Sequence, residues 1–213
     1  MTKKEKQIVN YLNILFPNAQ TELNFSNGYE LIIAVVLSAQ STDVSVNKVT
    51  PLLFKTYPDF YSLSKAEVSD VENIIKSLGL FRSKARNIVN LGKKIMNEFD
   101  GRIPNTKSEL VSLPGVGVKT ANVVLSNYFN IPAFAVDTHV NRVSKRLGIA
   151  DEDDSLLQVE KKLEETFPKS LWQQLHHQII LFGRYKCKSQ NPECDTCELQ
   201  NICNYYQENI LDK

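Results

Sequence analysis

Residues 113–142 read LPGVGVKTANVVLSNYFNIPAFAVDTHVNR. A helix ends at Leu113, a turn follows over Pro114-Gly115-Val116-Gly117, and a second helix starts at about Val118. Pro114 stops the preceding helix, while the two glycines admit a positive φ or a close backbone approach. A Gly-x-Gly turn that opens a helix leaves backbone N–H groups without partners at the positive end of the helix dipole. Such a corner either packs against the core or receives an anion, for which phosphate is the natural guest.

Lys119 falls in the first turn of the second helix, where the dipole disfavours a charged ammonium. A lysine there either holds a phosphate or, if burial adds to the dipole, supplies a neutral amine. Neutral lysines attack carbon electrophiles and form Schiff bases. Asp137 follows the apolar run Ile131 to Val136 and precedes Thr138-His139-Val140, the start of another helix carrying Arg142, Lys145 and Arg146. Alone, Asp137 is an N-cap. Beside a reactive amine it is also a carboxylate able to accept a proton or to stabilise a cationic sugar.

The chain has 213 residues, 42% of them hydrophobic and 23% charged, which fits one large or two modest globular domains. No run approaches the ~20 apolar residues that span a bilayer. No basic segment followed by an apolar one opens the chain, so the expectation is an intracellular, cytoplasmic protein with no membrane partner, nucleoid-associated if bacterial. Net charge is only +1, but it is unevenly spread: residues 1–110 carry 14 basic and 11 acidic side chains, 111–150 carry 4 and 1, and 151–213 carry 7 and 12. The basic middle segment is where a nucleic-acid surface is expected, and Asp151 to Asp154 reads as a solvated loop facing away from it.

Apolar spacing predicts an all-α fold with short loops and no strand pairs. Helices are expected over 1–17, over Tyr29 to Gln40 (buried on most sides), and over Asp43 to Tyr57 with an interruption at Pro51. Further helices are expected from about Asp70 to Leu78, Ser83 to Phe99, Ser155 to Thr166 and Ser170 to Phe182. Capping boxes are expected at Ser64–Glu67 and Thr106–Glu109. Leu80-Phe81, after Gly79, reads as a pair of apolar anchors under a loop, and Gln40 as a solvated helix end.

Cys187, Cys194, Cys197 and Cys203 are the four cysteines of the chain, spaced C-x6-C-x2-C-x5-C. Such a cluster in an intracellular protein points to metal rather than disulfides. Four thiolates suit zinc and an iron–sulfur cluster equally, and the spacing leaves both open.

Taken together, LPGVGVKTANVVL, AVDTHVNRVSKRLG, the LSAQSTD at 37–43, the GL at 79–80 and the four-cysteine loop resemble the endonuclease III family of DNA glycosylase/AP lyases, in the helix-hairpin-helix superfamily. The resemblance runs from about residue 20 to Cys203. It implies two helical lobes: residues 22–131, holding the helix-hairpin-helix at about 106–128, and residues 1–21 joined to 132–213, holding a 4Fe-4S cluster at 187–203. It implies phosphate binding by Gly115, Val116 and Gly117, catalysis by Lys119 and Asp137 facing each other across an interdomain cleft, and entry of Gln40 and Leu80 into the DNA stack when a damaged base is rotated out. His139 matches a family position near that cleft, and Gly183-Arg184 a position bracing the cluster. The implied partner is double-stranded DNA carrying oxidised or ring-saturated pyrimidines or abasic sites, bound by a monomer, with base removal through a lysine Schiff base and strand cleavage 3′ to the abasic site by β-elimination. Two rivals stand beside it. The mismatch-specific branch of the superfamily has monofunctional members without the lysine, so Lys119 speaks against it, and a non-catalytic DNA-binding scaffold would use every feature except the Lys119–Asp137 pair.

Overall fold

The computed structural model describes residues 1–211, and among them the chain is all-α, with no strand. It divides into two compact units, one formed by residues 22–131 and the other by 1–21 together with the chain from Pro132 onward. The second unit opens with α1 (Lys3–Leu15), started by a reciprocal capping box between Thr2 and Glu5.

The 22–131 unit contains α2 (Gly28–Leu37), α3 (Asp43–Thr56), α4 (Phe60–Ser64), α5 (Val68–Ile75), α6 (Phe81–Glu98), α7 (Lys107–Val111) and α8 (Val118–Asn127). α2 is its centre: of its ten residues only Glu30 is not buried, and it packs on α3, α6 and α8. A helix apolar on all sides has to sit inside others. α4 and α6 meet closely at Gly92, where an added Cβ would lie 3.2 Å from the Ser64 backbone nitrogen.

Several boundaries differ from the sequence reading. α2 stops at Leu37, not Gln40, because Ser38 caps it and turns its hydroxyl to the Val35 carbonyl at 2.9 Å. α3 runs through Pro51 without a break. Pro51 is exposed, so the carbonyl left unpaired by its missing N–H can reach water, which moderates the usual penalty. The Ser64–Glu67 box does not form. Phe60 and Leu63 are buried and draw Ser64 into the short α4, while Glu67 becomes the N-cap of α5 without a side-chain hydrogen bond. Thr106 does cap α7, accepting from the Glu109 N–H.

The other unit continues with α9 (Thr138–Arg146), α10 (Leu156–Thr166), α11 (Trp172–Tyr185) and α12 (Asn204–Tyr206). Its core joins Ile8 and Leu12 of α1 to Phe134, Val140, Val143, Leu163, Ile179 and Phe182, with Cys187, Cys197 and Cys203 packed on its edge. Asp151, Glu152 and Asp153 are exposed, as expected of a solvated loop, and the loop is also tied down by a lysine. Lys162 bridges Asp151 and Asp154 at 2.6 Å each, and the Asp154 side chain is only 7% exposed. No helix among the described residues is long and apolar enough to cross a membrane.

His177 on α11 is buried, and burial pushes its imidazole down to about 4. An unfolded chain takes up this proton as the pH falls through the ordinary value of 6.5, while the folded chain stays neutral until about pH 4. The expected outcome is a loss of stability as pH falls from 6.5 toward 4, on the order of 3 kcal/mol from this group. Denaturant titrations of the protein and of His177→Gln across that range would show the dependence flattened in the variant.

Candidate DNA-facing site and cysteine loop

The hairpin turn is closed by the Val116 N–H donating to the Leu113 carbonyl at 3.1 Å. Leu113 and Val116 are buried and pin the turn, so the Val116 side chain is kept from the surface. Gly115 has φ +78° and its Cβ position is already taken: Asn87 and Val36 lie 3.0 Å from it. Gly117, the N-cap of α8, has nothing within 4 Å of that position and provides no side-chain cap. The first-turn N–H groups of α8 are therefore open to an outside acceptor.

Lys119 stands in this first turn and is exposed, so the burial invoked from the sequence is absent from the free protein. Asp137 belongs to the other unit and caps α9. Its Oδ1 accepts from the His139 and Val140 N–H groups, each at 2.8 Å, while Oδ2 takes part in neither bond. The cap anchors one oxygen and does not use the other.

Gln40 and Leu80, far apart in sequence, lie together. A Cβ added at Gly79 would touch the Gln40 carbonyl at 3.4 Å. Both residues adopt left-handed backbone, with φ 53° and φ 56°, a conformation that costs a non-glycine residue roughly 1–2 kcal/mol. Leu80 is 57% exposed. It is not an anchor under a loop but an apolar side chain held out on a strained turn, the kind of outlier that gathers at working surfaces.

The second group of residues surrounds the cysteines. Sequence reading assigned the basic residues of α9 to DNA, but the structure turns them inward. Arg142 donates to the carbonyls of Gly183 at 2.7 Å and Cys187 at 3.2 Å, and faces Nδ1 of His139 at 3.2 Å. Arg146 donates to the Lys188 carbonyl at 2.7 Å, to the Ser189 carbonyl at 3.2 Å and to Sγ of Cys187 at 3.4 Å. Its guanidinium also stacks over Tyr205 at 4.1 Å. Lys145 is tied to the Glu152 carbonyl. The signal for this network was present, since arginines four residues apart share one helix face, but its direction was not. Gly183 is required by close packing, because a Cβ there would lie 2.9 Å from that of His139. His139 is thus held among Arg142 and Gly183, on the side of α9 that meets the cysteine loop.

All four cysteines are free of disulfides and line one pocket with Leu147, Phe182 and Tyr205. No three His, Cys, Asp or Glu side chains among the described residues draw together tightly enough to share a single metal ion. In the loop between the first two cysteines Lys188 pairs with Glu193 at 2.7 Å, so its one cation is already matched.

A family profile described as HhH-GPD superfamily base excision DNA repair protein matches residues 33–169. Endonuclease III of Bacillus subtilis (strain 168) is 51% identical over 189 residues, covering 89% of this chain and 86% of its own. A trapped endonuclease III–DNA covalent intermediate, described as an estranged-adenine complex, superposes with a TM-score of 0.91 at 48% identity over 97% of this chain and 98% of that one. A non-covalent endonuclease III–DNA complex gives 0.93 at 47% identity with the same coverage. The chain belongs to the HhH-GPD superfamily of base excision DNA repair proteins and, within it, to the endonuclease III family.

Replacing Asp137 by Ala removes the cap of α9 and is expected to lower stability by about 1 kcal/mol, measurable by urea unfolding.

Proposed function

We infer that the protein is a bifunctional DNA glycosylase/AP lyase acting on oxidised or ring-saturated pyrimidines in duplex DNA, in the cytoplasm. The observation that carries this reading is an exposed lysine in the uncapped first turn of a hairpin helix, in a chain 48% identical to a protein trapped in covalent attachment to DNA. The open N–H groups around Gly117 take a backbone phosphate, and Gln40 and Leu80 fill the stack as the damaged nucleotide leaves it.

Lys119 and Asp137 act on that nucleotide. The neutral amine of Lys119 attacks the sugar C1′; the N-glycosidic bond breaks, and the base departs with its electron pair and takes a proton. Ring opening gives an imine between Nζ and C1′. The imine acidifies the C2′ hydrogen, and its loss expels the 3′ phosphate by cleavage of the C3′–O bond. Water then hydrolyses the imine and frees the lysine. Oδ2 of Asp137 accepts the amine's proton and stabilises positive charge on the sugar. His139, held by Arg142, is assigned to the DNA-facing set by family position.

The four cysteines fit a 4Fe-4S cluster. The donor set is all thiolate, the four cysteines line one pocket, and a guanidinium donates to one of the sulfurs. When bound, such a cluster supplies cross-linking of the loop and a redox centre, and with four protein ligands it offers no open site to substrate.

Lys119→Gln should bind lesion duplex as before but give no borohydride-trapped adduct; a trapped adduct would assign the amine to another residue. Asp137→Asn caps as well as aspartate, so its stability should match the parent, while base release slows by roughly a hundredfold or more. Elemental analysis of the purified protein should find iron with sulfide; zinc in their place would refute the cluster.

A further inference from the structure

Lys84 lies in the first turn of α6 and is 4% exposed. Its ammonium donates to the Ser41 hydroxyl at 2.6 Å, and among the described residues no acid is paired with it. Burial and the helix end both oppose a cation here. Burial disfavours the charged form and pushes the amine below its ordinary range, and the N-terminal end of a helix repels positive charge. A side chain kept against these costs is explained by what it holds.

What it holds is the segment carrying Gln40. Ser41 directly follows the left-handed Gln40, and Leu80, likewise left-handed, is the N-cap of α6 itself. Leu80, Lys84 and Asn87 fall at i, i+4 and i+7, on one helix face. Leu80 projects from the surface, Lys84 reaches the Gln40 segment, and Asn87 lies under Gly115 of the hairpin. The helix that carries Leu80 therefore also registers two other chain segments.

We propose that Lys84, through its hydrogen bond to Ser41, is a positioning residue that sets Gln40 against the Leu80 turn so that both enter the duplex together. This rests on the reading of Gln40 and Leu80 as the residues that occupy the vacated stack.

The experiment compares two substrates: a duplex with thymine glycol, which needs the wedge, and a single-stranded oligonucleotide with an abasic site, which needs only the amine chemistry. Lys84→Met keeps the apolar stem and removes the buried cation, so its melting temperature should equal or exceed that of the parent. Single-turnover base release from the duplex should fall roughly ten- to a hundredfold, as expected when a positioned group shifts by about 1 Å. Borohydride trapping on the single strand should remain within about twofold of the parent, and adding Lys84→Met to Gln40→Ala should cost less than about twofold further. Ser41→Ala breaks the same bond from the other side and decides the matter if Lys84→Met fails to fold. Unchanged duplex activity in both variants, equal losses on the two substrates, or additive losses with Gln40→Ala would overturn the proposal. If Gln40→Ala alone leaves duplex activity intact, the wedge reading fails and the proposal with it. If the parent protein cleaves neither substrate, the glycosylase/lyase reading fails.

Discussion

The missing side chain of Gly115 is the point from which the 22–131 unit is built outward. Val36 of α2 and Asn87 of α6 occupy the space its Cβ would need, at 3.0 Å, and its φ of +78° is one that larger residues adopt only with strain. The hairpin is thereby pressed onto the buried central helix and onto the long helix that begins at Leu80. Dense interiors transmit small displacements, so the open N–H groups of α8, the Leu80 turn and the Gln40 segment keep a common frame. A bulkier residue at 115 would lift the turn and shift all three relative to one another.

The hairpin, the helical class, the Asp137 cap and the four-cysteine loop were legible in the sequence because each rests on local chemistry: proline and glycine conformations, a short acidic side chain before a helix, and thiol spacing. The misreadings have a common cause in tertiary contact. Ser64 looked like a cap, but the burial of Phe60 and Leu63 drew it into the preceding helix. Leu80 looked like an anchor because apolar residues are usually inside, and its exposure follows from a backbone conformation that no propensity encodes. Gln40 falls outside α2 because a serine hydroxyl two residues earlier ends the helix. The burial of Lys84 could not be read from a lysine in a helix of ordinary charge pattern.

The unit formed by residues 1–21 and the chain from 132 onward depends on its arginines. Arg142 and Arg146 lie one turn apart and together reach the carbonyls of Gly183, Cys187, Lys188 and Ser189. Carbonyls at the end of α11 and in the loop beyond it would otherwise have no partner in that chain direction, and a guanidinium with five fixed donors satisfies several at once. α9 consequently begins at a carboxylate and ends in a clamp on the cysteine loop, so the same short helix orders both.

That inward turn of Arg142, Lys145 and Arg146 changes how the molecule meets a polyanion. A cation already bonded to peptide oxygens keeps its charge but is less free to follow a passing phosphate. Exposed side chains such as Arg82, Arg86, Lys93 and Lys119 keep that freedom, and it is through such side chains that ionic strength acts on the approach of a charged polymer.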